Sequence, residues 1–528
     1  RRHNPDTVGA FLDGAPPPST RRSTSGTRPL FNAITDCGAG GFSSAVGEMG
    51  EQLGADVHLD RAPLKYPGLT HTEIWISEAQ ERFILAVPEA NLPALQAICD
   101  EEHVEIADLG HFGTEGRELV LNHAGREVGR LPMAFLHDGI PMPTREAEWK
   151  PSATEVRATE PANTPSIKDA LLKLLAHPNI ASKHNIIRQY DHEVQGNTVI
   201  RPLGGPLQRG PMDAAVIEPV PGTGRGLAIA SSLATNYGDP EAGGDPYLMA
   251  LAAIDEVVRN LVCVGANPER IAILDNFCWP SCQKPENLGA LVRACAGCYD
   301  GAKAYRTPFV SGKDSLNNQF RTKSGEVIEI PHTLLISGIA IVDDVSRCVT
   351  MDAKRPGNVI IGVNGDTQID IPLTKVDRRV AMAHYVARLI REGLVTSAHD
   401  CAEGGPMTAL AEMLIAGPSE IGASIHQTDL LLLRDREREF IGHHGRHWYL
   451  LEMTPESWAR AQASDDRLED KHDAWLEHVA TLTADGIITH DPRSFDDPFP
   501  DDFRPSPTLL APIPVADCRT AFYGTLDW

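Results

Sequence analysis

The feature that most constrains this chain is a segment that occurs twice, once near each end. Residues 32–49 read NAITDCGAGGFSSAVGEM, and residues 397–413 read SAHDCAEGGPMTALAEM. At one constant offset, both segments carry an Asp-Cys pair, a Gly-Gly pair and a Glu-Met pair. The chain therefore contains an internal duplication, and the two copies should share one fold.

In each copy, the Gly-Gly pair is followed by apolar residues at helical spacing, which predicts a glycine-rich turn that enters a helix. These residues are Phe42, Ala45, Val46, Met49 and Leu53 in the first copy and Met407, Leu410, Ala411 and Leu414 in the second. A helix N-terminus attracts anions, and an Asp just before it can bind a divalent cation that the anion shares. For one copy alone, an N-capping Asp would be the simpler interpretation. Two copies with matched spacing favour Asp36 and Asp400 as metal ligands.

Length and charge exclude several classes of protein. A chain of 528 residues allows two to four domains, and its apolar runs fall short of the ~18 residues of a membrane span. Lys and Arg total 48 against 72 Asp and Glu, a net charge of −24, which argues against a nucleic-acid surface. Ten cysteines, mostly within apolar patterns, suggest reduced thiols. We expect a cytoplasmic protein that binds neither nucleic acid nor membrane.

The order of predicted elements gives three structured parts and a linker. We predict an α+β unit over residues 1–140, a Pro-rich linker over 141–165, an α/β sheet unit over 166–345 and a third unit over 346–528. Strands are predicted at 56–59, 73–76, 82–87 and 106–109, helices at 92–102, 246–264 and 285–304, and a hairpin turn at Ala124 and Gly125. If the repeat has two different halves, the first N-terminal half-repeat is missing.

The first unit offers one further candidate site. Glu78, Ala79 and Gln80 stand just before an apolar strand, where a carboxylate and an amide could together hydrogen-bond a polar substrate. The alternative is a charged lead-in to the strand.

The second unit offers an oxygen-ligand set for a hard cation. Asp213 precedes a strand, and Glu256 and Asn260 lie four residues apart on one face of an apolar helix. Together with Asp400 they supply the carboxylate and amide oxygens that magnesium prefers. The alternative is that Glu256 and Asn260 form a solvated helix surface.

Two strand ends in the second unit also carry polar residues. Asp275 ends one strand, while Gly312, Lys313 and Ser315 end another, and strand ends followed by glycine often bind ligands in open α/β structures. Four cysteines are spaced almost as in a zinc ribbon, but two of them fall inside a predicted helix, which argues against zinc. They are Cys278, Cys282, Cys295 and Cys298.

These motifs resemble the synthetase component of phosphoribosylformylglycinamidine synthase, a purine-biosynthesis ligase. The resemblance rests on ITDCGAGGFSSAVGEM, ISEAQERF, MDAAV, DEVVRNLVCVGANP, LDNF, KPENLG, TPFVSGKDSLNN and SAHDCAEGG, in the family's order. It implies an α/β and α+β fold with an internally duplicated PurM-like (AIR synthetase-like) architecture. It also implies ATP-dependent conversion of formylglycinamide ribonucleotide (FGAR) to its amidine (FGAM), with the amide activated as an iminophosphate and then attacked by ammonia.

The resemblance assigns roles to the candidate residues. It implies substrate contacts for Glu78, Ala79, Gln80 and Ser315, ATP contacts for Asp275, Gly312 and Lys313, an active-site magnesium ligand at Asp36, and an auxiliary magnesium set of Asp213, Glu256, Asn260 and Asp400. Many relatives carry Asn in place of Lys313, and a charged Lys cannot ligate magnesium, so phosphate is its expected partner. No catalytic residue is assigned in this chain, since the family's catalytic histidine would stand upstream of Arg1.

The cofactors implied are ATP and Mg²⁺. The expected source of ammonia is a separate glutaminase subunit (PurQ-like), with a small PurS-like subunit as a further partner. Two alternatives remain: another ATP-dependent synthetase of the same superfamily, which the duplication opposes, and a non-catalytic scaffold that binds a nucleotide.

Overall fold

The structure is a computed structural model that describes residues 29–79, 81–150, 166–190, 192–238, 244–363, 376–426, 448–463, 476–490 and 511–526, together with a short strand at 7–8. The chain divides into two compact units, Arg1–Thr144 and Arg145–Trp528.

The first unit is a seven-stranded sheet in the order β2-β4-β1-β5-β3-β6-β7. Its strands are β1 (Thr7–Val8), β2 (Ala33–Asp36), β3 (Ala55–His58), β4 (Phe83–Pro88), β5 (Gly110–Phe112), β6 (Glu118–His123) and β7 (Arg126–Pro132). Its helices are α1 (Phe42–Met49), α2 (His71–Ile76), α3 (Leu92–Glu101) and α4 (Met133–Asp138). The core is formed largely by α1 and the inward residues of the sheet, among them Val46, Val57 and Phe112.

Among the described residues, the first part of the second unit contains four helices and a six-stranded sheet in the order β14-β13-β17-β12-β11-β8. The helices are α5 (Ile167–Leu175), α6 (His184–Ile187), α7 (Pro246–Cys263) and α8 (Pro285–Tyr305). The strands are β8 (Thr198–Ile200), β9 (Leu203–Gly204), β10 (Gly210–Pro211), β11 (Ala215–Ile217), β12 (Gly226–Leu233), β13 (Ile271–Cys278), β14 (Phe309–Ser315), β15 (Gln319–Arg321), β16 (Val327–Glu329) and β17 (Thr333–Val342), of which β9 with β10 and β15 with β16 form separate two-stranded sheets.

Helix α7 is the central helix of this part. Asp245 caps its N-terminus by accepting a hydrogen bond from the Tyr247 backbone N–H at 2.9 Å, and Pro246 occupies the first turn. Nearly all of its residues are buried, because α7 packs against the sheet through β12 and β17, against α8, and against helix α9 (Val376–Arg391).

The rest of the second unit is a second seven-stranded sheet, ordered β19-β21-β18-β22-β20-β23-β24. Its strands are β18 (Val359–Val363), β19 (Ser397–Asp400), β20 (Gly422–Ile425), β21 (Tyr449–Met453), β22 (Leu476–Thr483), β23 (Ile487–His490) and β24 (Ile513–Pro514). The helices are α9 (Val376–Arg391), α10 (Gly405–Ala416), α11 (Pro455–Ala463) and α12 (Val515–Gly524).

The two seven-stranded sheets repeat one topology. If the strands of each sheet are counted in chain order, β1 corresponds to β18, β2 to β19 and so on to β7 and β24. Each strand then has the same neighbours as its counterpart in the other sheet. In each sheet the third and sixth strands of the series pair in parallel, as β3 with β6 and β20 with β23, while the remaining neighbours are antiparallel. The duplication predicted from two short segments is therefore confirmed over whole sheets.

Two predicted strands are wrong. Residues 73–76 belong to helix α2, which begins with a capping box: Thr70 accepts from the Glu73 backbone N–H at 3.3 Å, and Glu73 accepts from the Thr70 backbone N–H at 2.7 Å. This Thr-x-x-Glu signal was present in the sequence and overrides the strand propensity of Ile74 and Trp75. Residues 106–109 lie outside regular structure, and the strand begins at Gly110.

The remaining predicted elements agree with the structure to within a few residues. The predicted hairpin turn lies at Ala124 and Gly125, whose φ angles of 50° and 74° suit a tight two-residue turn. Among the helices that the structure describes, none has the length and apolarity to cross a membrane.

Candidate functional site

The first candidate site is the turn that follows strand β2. Asp36 ends the strand with its side chain exposed, and its Oδ1 accepts a hydrogen bond from the Gly38 backbone N–H at 2.7 Å. The N-cap of helix α1 is Gly41, which makes no side-chain capping bond. Asp36 is therefore not the N-cap, and the simpler interpretation of this acid is wrong.

The structure brings the Glu78 segment against this turn. The Gly40 backbone N–H donates to Glu78 Oε1 at 3.0 Å. A Cβ on Gly41 would lie 2.1 Å from the Ser77 carbonyl oxygen, so only glycine permits this approach. Glu78 and Ala79 are both exposed, and β4 begins only at Phe83, so these residues form a loop of their own rather than a lead-in to the strand. Gln80 lies outside the described residues.

The second candidate site is the parallel pair β13 and β14. In their register Asp275 faces Gly312, and a Cβ on Gly312 would lie 2.4 Å from Asp275 Oδ1. Burial, and after it the charge of Asp314, raise the pKa of Asp275, while a hydrogen bond from the Lys313 backbone opposes this shift. Asp275 and Gly312 therefore lie together. The prediction that they end their strands is wrong, because β13 continues to Cys278 and β14 to Ser315.

Lys313 and Ser315 lie on the face of β14 opposite to that of Gly312. Side chains alternate along a strand, and Lys313 Nζ hydrogen-bonds Ser315 Oγ two residues along. The structure thus groups Lys313 with Ser315, whereas the sequence analysis grouped it with Asp275.

The third candidate site is a buried acidic cluster in the second unit. Ligand atoms of Asp213, His399 and Asp400 lie within 4.8 Å of one another. Among the described residues, these three form the group of His, Cys, Asp or Glu side chains that could hold a metal ion. His399 Nδ1 hydrogen-bonds Asp213 Oδ1 at 2.8 Å, and its Nε2 hydrogen-bonds Glu412 Oε2 at 3.3 Å. Burial acts to lower the pKa of His399, but Asp213 and Glu412 raise it well above its usual value.

Arg259 supplies the second positive charge of this cluster. Its Nη1 donates to Asp400 Oδ2 at 2.8 Å and to the Cys401 carbonyl at 2.9 Å, and its Nε donates to Asp255 Oδ2 at 3.0 Å. Arg259 and Asp400 are 3% and 4% exposed, so this is a buried ion pair that joins α7 to β19.

Glu256 and Asn260 lie on the same helix as Arg259. Asn260 is buried, which contradicts the alternative of a solvated surface for that residue, while Glu256 is half-buried. Both Glu256 and Arg259 act electrostatically on Asp400, which places the Glu256 carboxylate in the same neighbourhood. Glu256 is not a member of the three-residue group around Asp213.

The sequence analysis missed His399 and Arg259. A usable signal existed for Arg259, because a charged residue within the apolar run of α7 requires a buried partner. His399 stands directly before Asp400, but the first copy has Thr35 there, so comparing the copies conceals it. Cys295 and Cys298 are on helix α8, as expected, and no cysteine belongs to the metal-type group in the described part of the chain.

Two family models match the chain. The model of the "AIR synthase related protein, C-terminal domain" matches residues 25–121, which cover most of the first sheet. The model of the "AIR synthase related protein, N-terminal domain" matches residues 211–332, which include α7, β13, α8 and β14.

Curated proteins and solved structures agree with these matches. The phosphoribosylformylglycinamidine synthase subunit PurL of Rhodospirillum rubrum is 33% identical over 417 residues, which cover 74% of this chain and 53% of that protein. The chain thus spans about half the length of this relative.

Solved structures of the Thermotoga maritima PurL share the fold at low sequence identity. The complex with AMPPCP has a TM-score of 0.58 at 18% identity and covers 92% of this chain and 72% of that one. The complex with FGAR and the PurLQS structure each give 0.56 at 19%, covering 86% of this chain and 62% and 64% of theirs. Residues 25–121 and 211–332 thus match the two domains of the AIR synthase related proteins, and 74% of the chain is similar to the phosphoribosylformylglycinamidine synthase subunit PurL.

Proposed function

We propose that this chain carries part of a phosphoribosylformylglycinamidine synthase, which converts FGAR to FGAM at the expense of ATP. The observation that carries the proposal is the hydrogen bond from the Gly40 backbone N–H to the Glu78 carboxylate. It joins the turn after Asp36, a candidate metal ligand, to the exposed loop that carries Glu78. The similarity to PurL over 74% of the chain supports the same activity.

Substrate binding is assigned to Glu78, Ala79 and Gln80 in the first unit and to Ser315 in the second. The Glu78 carboxylate can accept hydrogen bonds from ribose hydroxyls or amide N–H groups, while the Ser315 hydroxyl can donate or accept. The PurL of T. maritima has been solved with FGAR, which supports this substrate class.

ATP binding is assigned to Asp275, Gly312 and Lys313. Because Gly312 has no side chain, the Asp275 carboxylate lies close against the backbone of the neighbouring strand, and we assign it a contact with the nucleotide there. Lys313, exposed beside Ser315, is suited to a phosphate oxygen. The T. maritima PurL has been solved with the ATP analogue AMPPCP, which supports a nucleotide here.

The donor atoms of two sites fit Mg²⁺. Asp36 offers an exposed carboxylate. The auxiliary set is Asp213, Glu256, Asn260 and Asp400, of which the carboxylates of Asp213 and Asp400 lie together in the metal-type group. Arg259 already engages Asp400 Oδ2, so Asp400 would use its other oxygen. A magnesium ion bound at Asp36 would offset negative charge on the transferring phosphoryl group.

The proposed chemistry has two steps. The substrate amide oxygen attacks the γ-phosphorus of ATP, so that an O–P bond forms, ADP leaves and an iminophosphate remains. Ammonia then adds to the activated carbon, the C–O bond breaks and inorganic phosphate leaves with the oxygen, which gives FGAM. The part of this chain is to bind and orient both substrates.

We further propose that ammonia comes from a separate glutaminase subunit, with a small PurS-like subunit in the same assembly. The PurLQS assembly of T. maritima supports this arrangement. The corresponding test compares FGAM formation from free ammonium with formation from glutamine plus a glutaminase subunit.

Calorimetric titration of the chain with FGAR and with Mg-ATP tests the function. We expect both to bind, and Glu78→Gln to weaken FGAR binding by about tenfold, the effect of losing about 1.4 kcal/mol. Glu105→Gln, at an exposed acid of the same unit, is the matched control and should leave both affinities unchanged. A scaffold that only holds a nucleotide would bind Mg-ATP and ignore FGAR, which would reject the proposal.

A further inference from the structure

The Arg82 side chain makes two hydrogen bonds to the loop that carries Glu78. Its Nη2 donates to the Ser77 carbonyl at 2.6 Å, and its Nε makes a longer bond to the Ala79 carbonyl at 3.4 Å. The two carbonyls flank Glu78, so the guanidinium spans the base of the loop. An arginine suits this task because its planar fork can donate to two acceptors at once.

The same guanidinium also contacts the first residue of helix α1, which follows the turn after Asp36. Its Cζ lies 4.2 Å from the ring centroid of Phe42, the first residue of α1, and Phe42 is 4% exposed. A cation over a buried aromatic face is attracted to it. Arg82 therefore links the Glu78 loop to the start of the helix that follows Asp36.

The loop needs such a restraint. Glu81, directly before Arg82, has a φ of +63°, a left-handed conformation that is unfavourable for a residue with a Cβ. Such a conformation persists only where the surrounding structure fixes it. The bonds from Arg82 to the Ser77 and Ala79 carbonyls hold residues that precede Glu81 in the loop.

The second copy lacks this arrangement at the equivalent positions. In the first copy the Cys37 backbone N–H donates to the Arg82 carbonyl, and in the second Cys401 donates to the Trp448 carbonyl, both at 2.9 Å. The strand registers agree, since Asp36 pairs with Phe83 and Asp400 with Tyr449.

Trp448 is therefore the counterpart of Arg82, and the repeat offset makes Pro406 the counterpart of Phe42. Neither Trp448 nor Pro406 can place a guanidinium over an aromatic ring. The contacts of Arg82 with Phe42 and with the Ser77 and Ala79 carbonyls, which we call the Arg82 clamp, thus belong to the first copy and not to the shared fold.

We propose that Arg82 is a positioning residue for the substrate: it fixes the backbone from Ser77 to Ala79 so that Glu78 is presented to a ribonucleotide amide. This inference rests on the proposed function, and it adds that the Arg82–Phe42 contact distinguishes the first copy, to which we assign substrate binding, from the second. Arg82 acts through the loop and makes no contact with the reacting atoms.

The binding test uses the whole chain with Arg82→Met and Arg82→Lys. Arg82→Met keeps the length and apolar contact of the side chain but removes its donors, and we expect FGAR affinity to fall by about tenfold while Mg-ATP affinity stays unchanged. Arg82→Lys keeps the cation and a donor, so it should recover part of the loss. Arg130→Met, at an arginine of the same unit that pairs with Glu118 and Glu127, is the control and should bind FGAR as the wild type does.

Amide hydrogen exchange of residues 77–82, measured without ligand, tests the clamp independently of the function. Faster exchange in Arg82→Met, confined to this segment, supports the proposal, whereas unchanged exchange overturns it. Equal loss of FGAR and Mg-ATP affinity in Arg82→Lys would show a merely structural role and also overturn it. If the wild-type chain binds no FGAR, the proposed function fails, and the exchange experiment still decides whether Arg82 fixes the loop.

Discussion

Asp36 and Asp400 end equivalent strands in the two copies, but Asp36 is exposed while Asp400 is 4% exposed and bonded to Arg259. The duplicated acid has therefore diverged in its surroundings. An exposed carboxylate is free to meet an incoming ligand, whereas a buried one with a fixed arginine partner contributes to the stability of the core. Asp36 is thus accessible from solvent, whereas Asp400 is held within the core by Arg259.

Removing Arg259 should strongly destabilise the second unit. In Arg259→Met the buried carboxylates of Asp255 and Asp400 lose their shared partner, and we expect the free energy of unfolding to fall by about 3–5 kcal/mol. Urea denaturation followed by tryptophan fluorescence measures this change.

Two further variants check the cause. Adding Asp400→Asn to Arg259→Met should recover part of the stability, because it removes one of the unpaired charges. Arg130→Met, which breaks an exposed ion pair, should change stability little. An Arg259→Met variant as stable as the wild type would contradict the importance of this pair.

Gly41→Ala should disturb both stability and substrate binding. The backbone of Gly41, at φ 58° and ψ −134°, disfavours alanine by about 1–3 kcal/mol, and the new Cβ would also collide with the Ser77 carbonyl at 2.1 Å. We expect thermal unfolding at lower temperature and weaker FGAR binding, measured by calorimetry.

Gly125→Ala is the matched control for this variant. Gly125 also has a positive φ, 74°, but a Cβ there meets nothing within 4 Å. It should lose stability through backbone strain alone and bind FGAR normally. Equal effects of both substitutions would show that the contact with Ser77 is unimportant.

The sequence predicted what local patterns encode. The acid, the two glycines and the helical spacing lie within one short segment, so both copies of the turn and helices α1 and α10 were predictable. The strand at 73–76 was mispredicted because the Thr70–Glu73 capping box outweighs the β propensity of Ile74 and Trp75.

The sequence could not predict contacts between distant segments. The bond of Arg259 to Asp400 joins residues 141 positions apart, and that of His399 to Asp213 joins residues 186 apart. No local period records such pairs. The first depends on how α7 packs against β19, and the second on how the segment before β11 lies against β19. Likewise, the sequence could not show that Asp275 and Lys313 lie on different faces of the β13–β14 pair, because this depends on the register of the two strands.

Gly312→Ala should weaken nucleotide binding. Its Cβ would lie 2.4 Å from Asp275 Oδ1, so the Asp275 side chain must move away from the strand. We expect Mg-ATP affinity to fall by about tenfold with little change in FGAR affinity, as measured by calorimetry. Gly129→Ala is the control, since its Cβ would meet Leu121 Cδ1 at an ordinary 3.4 Å within a strand. Wild-type Mg-ATP affinity in Gly312→Ala would argue against a nucleotide beside Asp275.

His332 should make the second unit less stable in mild acid. Its ring stacks on Trp279 with centroids 4.6 Å apart, and its Nε2 hydrogen-bonds Asn287 Oδ1 at 3.1 Å. Burial lowers the pKa of His332, and Glu329 opposes the shift only in part. A lowered pKa means that the unfolded chain takes up the proton first, at about pH 6.5. The stability tied to neutral His332 is therefore complete above that pH and is lost as pH falls towards the folded-state pKa.

His332→Gln removes this titrating group, so the difference in unfolding free energy between wild type and variant should shrink as pH falls below about 6.5. Urea denaturation at a series of pH values measures this difference. His111→Gln, at an exposed histidine of the first unit, should leave the pH dependence as it is in the wild type. If the wild-type and His332→Gln curves run parallel from neutral pH into mild acid, His332 takes up its proton equally well in the folded and unfolded chain, and its burial beside Trp279 imposes no acid sensitivity.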